Sequence, residues 1–161
     1  EATDLQHKEM VQYYCTDWDF ILSRADVNGQ LVFVDDGTIT IKAPDLSADP
    51  LVKLFHGDNV FEFEAEMDAR NQYSATKSKS WDYTNQEVIE SDGEDPGITE
   101  QGNITGSDLA GIIGLENFEM QHPGQIITEE LQSWANTKLL RSRLAKIQVH
   151  VQIIGFSDIK P

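Results

Sequence analysis

The histidines have the widest range of possible chemistry in this chain, because imidazole serves both as a general base and as a metal ligand. There are four of them, His7, His56, His122 and His150, and they are far apart in the sequence with no paired spacing. Zinc sites that are recognisable from sequence usually show closely spaced ligand pairs. We therefore interpret the four histidines as surface or hydrogen-bonded side chains, and not as ligands or bases.

Two further features have suitable atoms but no recognisable pattern around them. The single cysteine, Cys15, lies between a β-prone run and a helix start, where a small apolar side chain is useful, and no nucleophile signature surrounds it. Residues 91–95 place oxygen ligands around a glycine, but they lack the EF-hand loop pattern with its closing glutamate. A structural cysteine and a solvated loop are the favoured interpretations.

The stronger cofactor motifs are absent from the sequence. It has no phosphate-binding loop, no dinucleotide fingerprint, no His-Glu-x-x-His and no Cys-x-x-Cys. Carboxylate pairs for glycoside hydrolysis are not distinguishable, because with 28 acidic residues no particular pair is informative. The sequence thus predicts no catalytic, cofactor-binding or metal-binding residue and a protein that is not an enzyme.

Charge and composition disfavour several classes of partner. The 161 residues include 12 basic and 28 acidic side chains, and the net charge of −16 repels nucleic-acid backbones and anionic membranes. No apolar run approaches the roughly 20 residues of a membrane helix. Residues 1–4 lack the basic start of a signal peptide. We expect a soluble, cytosolic protein without nucleic-acid binding, cut from a longer chain because it lacks an initiator methionine.

The first part of the chain predicts a strand, a helix and a hairpin. Thr16 followed by Asp19 is a variant of the capping box, and an apolar stripe at helical spacing predicts a helix over residues 17–28. Residues 10–14 before the helix are β-prone. The dipeptide Asp36-Gly37 after it is a strong signal for a tight hairpin turn.

The second part begins with a strand of strict alternation. Residues 60–68 place glutamates on one face and apolar side chains on the other, and we expect the apolar ones to face the core (Phe61, Phe63, Ala65 and Met67). We expect a turn and then a second strand over residues 72–83, which would set Glu62 opposite Lys77.

The remainder alternates between loop, helix and strand. Residues 86–106 are rich in acid and glycine and predict a mobile loop. A short helix is expected over residues 107–113, and Thr128 is expected to cap the longest helix. Alternation over residues 147–153 predicts a final strand.

These elements predict an α+β fold with mainly antiparallel pairing. Two lobes are expected: a strand-helix-hairpin lobe over residues 1–56 and a β-rich lobe over residues 57–161 that holds the acidic loop and the long helix. The three tryptophans, Trp18, Trp81 and Trp134, are expected to face the core.

Three stretches resemble the Vgr (valine-glycine repeat, spike) family of type VI secretion. Residues 11–25 read VQYYCTDWDFILSRA, and an aliphatic hairpin follows them. Residues 61–73 read FEFEAEMDARNQY and residues 80–86 read SWDYTNQ, which are similar to the extracellular-injection branch of that family. The resemblance covers most of the chain from about Lys8 onward.

The resemblance implies the middle of a homotrimeric hub, related to phage baseplate hubs, that joins the inner tube of a contractile machine to its needle. It implies an Hcp-like tube protein, baseplate and needle-tip proteins and effectors as partners, and export with the machine. Residues 57–161 would then include the start of a tube-barrel strand. The isolated fragment is expected to be a monomer, because it holds only parts of the tube barrels.

Two other functions are kept as alternatives. An adaptor would bind effector or cargo proteins through the acidic residues from Glu87 to Glu100. A hydrolase domain fused to a spike would need a convergent pocket with perturbed titratable groups, which the sequence does not display.

Overall fold

The computed structural model describes residues 5–7, 9–156 and 159. The predictions that concern residues 1–4, Lys8 and residues 160–161 lie outside this part of the chain. Within the described residues the elements, in chain order, are α1 (Asp17–Val27), β1 (Leu31–Asp35), β2 (Thr38–Lys42), β3 (Val60–Met67), β4 (Ala75–Asp82), β5 (Glu87–Asp92), α2 (Gly106–Ile113), β6 (Asn117–His122), α3 (Thr128–Leu144) and β7 (Ile147–Ile153). The predicted α+β class with mainly antiparallel pairing is confirmed.

Helix α1 and the hairpin after it form where local signals place them. The amide of Asp19 donates to Thr16 Oγ1 at 3.2 Å, so Thr16 caps the helix as predicted. Strands β1 and β2 pair antiparallel around Asp36 and Gly37, whose φ angles of 45° and 77° lie in the left-handed region. A two-residue hairpin turn needs left-handed φ angles at both positions, and Asp and Gly are among the residues that tolerate these angles best.

The β-prone run at residues 10–14 forms no strand, which corrects that prediction. Tyr14 is 99% exposed, so its aromatic ring packs on nothing in this chain. A strand needs a neighbouring strand for its backbone hydrogen bonds, and β propensity alone does not supply one.

The centre of the fold is a three-stranded sheet with α3 packed on it. Strand β4 lies in the middle, antiparallel to β5 and parallel to β6. The side chains that β4 turns towards α3 are small and hydroxylated, and they are buried (Thr76, Ser78 and Ser80). Small side chains let the helix backbone approach the strand closely.

The hydroxyls of β4 bond directly to the backbone of α3. Thr76 Oγ1 donates to the carbonyl of Ala135 at 2.7 Å, and Ser78 Oγ donates to the carbonyl of Leu131 at 2.6 Å. A carbonyl oxygen has two lone pairs, so it accepts these bonds without giving up its helical partner. The apolar part of this layer is small, and its most buried members are Leu131, Ala135 and Leu139 of α3.

Helix α3 also holds α1 in place through hydroxyl groups. Ser133 Oγ and Thr137 Oγ1 both donate to the carbonyl of Val27, at 3.1 and 3.0 Å. The helix begins at Thr128, with Ile127 in the N-cap position and no side-chain cap. The prediction that Thr128 caps α3 is therefore wrong by one position.

Strand β3 does not form the predicted hairpin with the next strand. It pairs antiparallel with β7, far along the chain, with Phe63 opposite Val151 and Glu64 opposite His150. Glu62 therefore faces Gln152 and not Lys77. Both edges of β4 are occupied, by β5 and by β6, so β4 has no edge left to pair with β3.

The segment predicted as a mobile acidic loop is partly ordered secondary structure. Residues 87–92 form β5, and α2 begins at Gly106 with Thr105 and Asp108 as a capping box. Between them, the amide of Gly93 donates to the carbonyl of Thr76 at 2.8 Å. The acidic composition indicated a solvated chain, but the hydrogen bonds to β4 and α3 order it.

A glycine is required where β5 ends against this layer. A Cβ added at Gly93 would lie 2.1 Å from Thr76 Oγ1 and 2.9 Å from the carbonyl oxygen of Ala135. We predict that Gly93→Ala lowers the free energy of unfolding by about 1–3 kcal/mol through overpacking. The control is Gly111→Ala inside α2, where an added Cβ meets nothing within 4 Å, and we expect it to stabilise by about 0.5–1 kcal/mol. Equal effects of the two substitutions in urea melts would contradict this account of the layer.

Candidate interaction surface

The sheet of β3 and β7 has one apolar face. Side chains on a strand alternate between faces, so the paired residues Phe63 and Val151, Ala65 and Val149, and Met67 and Ile147 share one side. We call the surface formed by these six residues the apolar face. Phe63 is 58% exposed and Val149 is 52% exposed. The prediction that this side of β3 faces the core is wrong for this chain.

The opposite side of the same sheet is polar and acidic. It carries Glu62, Glu64 and Glu66 from β3, which face Gln152, His150 and Gln148 of β7. All six of these side chains are exposed. Both faces of the sheet are therefore exposed to solvent, but only the polar face interacts favourably with water.

The total surface area shows that this exposure is unusual. A compact monomer of 18.1 kDa exposes about 8,100 Å². This chain exposes 11553 Å². The excess includes other large apolar side chains at more than half exposure, among them Val11, Tyr13, Tyr14, Leu51, Phe55 and Phe61. Apolar surface on this scale is typical of chains that pack against another protein surface.

A second feature lies just after the end of α3, where the buried ammonium of Lys146 holds a carboxylate. Glu100 Oε2 lies 2.7 Å from Lys146 Nζ and accepts the amide of Gly106 at 2.6 Å. Gly106 is the first residue of α2, where helix amides have no partner inside the helix. The ammonium of Lys146 also donates to the carbonyls of Gln101 and Ile104, both at 2.9 Å.

Two buried polar groups border the same place. Arg143 is 5% exposed and Gln72 is fully buried, and among the described residues Arg143 Nη1 and Gln72 Oε1 have no hydrogen-bond partner. A Cβ added at Gly106 would lie 3.0 Å from Arg143 Nη1 and 2.7 Å from Gln72 Oε1. We call the three donors Gly106, Lys146 and Arg143 the carboxylate cradle, and the acceptor Gln72 Oε1 borders it.

The cradle keeps Glu100 ionised. Burial acts to raise the pKa of Glu100, but the hydrogen bonds from Lys146 and from the amide of Gly106 outweigh it, and the charge of Arg143 adds to them. The pKa of Glu100 is therefore lowered below its ordinary value. The pKa of Asp108 is also lowered, chiefly by hydrogen bonds from Thr105. The charge of Lys146 lowers it further.

The residues weighed for chemistry are not brought together. His7 Nε2 lies 3.0 Å from Arg24 Nη2, whereas His122 Nδ1 lies 2.9 Å from the carbonyl of Gly124. His150 is on the polar side of β7, and the backbone of His56 bridges to Val60. Cys15 is exposed. Among the residues that the structure describes, no group of three His, Cys, Asp or Glu side chains is placed to hold a metal ion.

Two further expectations about side chains need correction. Trp18 and Trp81 are 41% and 39% exposed and do not face the core. The cradle was not expected from the sequence: basic residues near a helix end, such as Arg143 and Lys146, already suit the helix dipole, and Glu100 lies in the segment predicted as a mobile loop. No helix in the described part of the chain is long and apolar enough to cross a membrane.

Comparison with known families gives one match. Residues 1–161 match the family model described as the Alg8 N-terminal domain. No curated protein matches the chain.

The family match corrects the resemblance drawn from the sequence. The matching family is the Alg8 N-terminal domain and not a Vgr spike family. The function as a type VI secretion hub, its adaptor and spike-hydrolase alternatives, and export within an injection machine rested on that resemblance, and they are corrected with it.

The apolar face should contribute little to the stability of this chain by itself. We predict that Phe63→Ala changes the free energy of unfolding by less than about 1 kcal/mol, as for an exposed site. Leu131→Ala is the matched control at a fully buried position, and its cost should be about 2–5 kcal/mol. A loss of the larger size for Phe63→Ala in denaturant melts would show that the face is covered within the chain.

The pairing of Glu100 should depend on pH in one direction. Because its pKa is lower in the folded state, its contribution to stability is present above the pKa of the unfolded chain and is lost as the pH falls through the folded pKa. We predict that Glu100→Gln costs about 1–3 kcal/mol at neutral pH and progressively less below about pH 4. Urea melts of both proteins across the pH range give this difference, and a constant difference would contradict the ion pair.

Proposed function

Since the chain belongs to the Alg8 N-terminal domain family, we propose that it is the docking domain of a longer protein and that its apolar face packs against another part of that protein. The observation that carries the proposal is the exposed apolar face of the sheet formed by β3 and β7. The description of the family as an N-terminal domain supports a location within a longer chain.

The energetics of burial support docking. Fully burying a large apolar side chain contributes about 1.5–3 kcal/mol, and Phe63, Met67 and Val149 are each roughly half exposed. Covering these three would therefore contribute about 3 kcal/mol.

The geometry of the sheet supports a partner that extends it. Strands β3 and β7 form a sheet of two, so within the described residues each has one edge without a strand neighbour. Such edges offer unpaired amides and carbonyls to a further strand. A partner strand at such an edge would satisfy them and would place its own apolar side chains beside those of the apolar face.

The net charge favours a partner that is a different part of the protein, and not a second copy of this chain. Each copy has a net charge of −16, and Glu62, Glu64 and Glu66 line the polar side of the same sheet. Two copies would repel one another there. A part of the same polypeptide with basic residues would gain from these charges, and its tether would raise its effective concentration to about the millimolar range.

We assign no chemical step to this domain. The name Alg8 points to a glycosyltransferase-related protein, so the expectation of a protein that is not an enzyme does not extend to the whole protein. A transferase needs groups that bind the donor and a base that activates the acceptor. In the described residues the lowered carboxylate pKa values arise from ion pairs and turns, as for Asp68 and Glu90.

The docking proposal is tested with the remainder of the same protein, expressed as a separate polypeptide. We predict that Phe63→Ser weakens its binding to residues 1–161 at least tenfold, because a polar side chain then lies in the apolar contact. The measurement is isothermal titration calorimetry, with urea melts to show that the variant is folded.

The matched control is Ile112→Ser, an exposed apolar residue of α2 outside the apolar face, and its affinity should be unchanged. Equal binding by Phe63→Ser and the unmodified chain would overturn the docking proposal. Sugar transfer from a nucleotide-sugar donor by residues 1–161 alone would overturn the assignment of no chemistry.

A further inference from the structure

We propose that the carboxylate cradle is a binding site for a carboxylate group, that Glu100 fills it from within the chain, and that an acidic side chain of a binding partner takes the place of Glu100. The site is distinct from the apolar face, and the inference does not depend on the proposed docking function.

The cradle has the chemistry of a carboxylate site. Lys146 is 4% exposed and supplies a buried ammonium, and Gly106 supplies the first amide of α2. A buried charge needs an opposite charge, since removal of one partner of such a pair is strongly destabilising. Amides at the start of a helix also bind anions, because they have no hydrogen-bond partner within the helix.

Glu100 does not use the whole site. Its contacts with Lys146 and with the amide of Gly106 both involve Oε2. Arg143 Nη1 is buried at the same helix start without a hydrogen-bond partner. A guanidinium binds carboxylates through two parallel bonds, so a carboxylate free to orient itself can add a bond that Glu100 leaves unmade.

The side chain of Glu100 can leave the cradle while its segment stays in place, because this side chain is 19% exposed and the carbonyls of Gln101 and Ile104 remain bonded to Lys146. Residues 93–105 lie between β5 and α2 and form no helix or strand. The net charge of −16 argues against general attraction of anions, so binding at this place must come from the local pair Lys146 and Arg143. An acidic side chain, and not a nucleic acid, is the occupant of matching size.

The test uses Glu100→Ala in the full chain, with acetate as the probe. Its unfolding temperature should rise with acetate in a saturable way, by about 3–5 °C at roughly ten times the dissociation constant. Sodium chloride at equal ionic strength should not reproduce the rise. The matched control is Glu94→Ala in the same segment, which should show no acetate dependence beyond that of the unmodified chain.

A second measurement covers the case in which Glu100→Ala does not fold. Glu100→Gln retains the shape of the side chain without its charge, and the amide of Gly106 in this variant should shift in the nuclear magnetic resonance spectrum as acetate is added. A rise or shift confined to the Glu100 variants supports the proposal. No response to acetate, or an equal response in Glu94→Ala, overturns it.

Discussion

The close approach of α3 to β4 is the constraint on which the rest of the structure depends. Hydroxyls of Thr76 and Ser78 donate to helix carbonyls, so this layer is held by buried hydrogen bonds as much as by apolar contact. Such an arrangement tolerates few changes in volume, and Gly93 is where it has no room for a side chain. Helix α3 packs against β4 and also bonds to the end of α1. The positions of α1 and of the cradle therefore depend on this layer.

The sequence was sufficient for features whose causes are local. The cap at Thr16, the turn at Asp36 and Gly37, and the alternation of residues 147–153 each depend on a few neighbouring residues, and the structure has all three. The partner of β3 was not predictable in this way, because its alternation fits any strand with the same period. Pairing with the next strand was the default, but β5 and β6 occupy both edges of β4.

The cradle could not be predicted for a different reason. Arg143 and Lys146 have the sequence signature of a helix end, which was a sufficient explanation for them. Only the folded chain shows that Glu100 forms an ion pair with Lys146. The exposure of Phe63 was also hidden, because a strand pattern indicates which residues share a face and not whether this chain covers that face.

The antiparallel pairing of β3 with β7 determines how the molecule responds to tension. Val60 at the start of β3 lies opposite Ile153 at the end of β7, so the stretch of chain from β3 to β7 begins and ends at one pair of residues. A pull on these two ends loads the ladder at its last pair and opens it one bond at a time. The two strands thus open from this end before the force reaches the layer of β4 and α3.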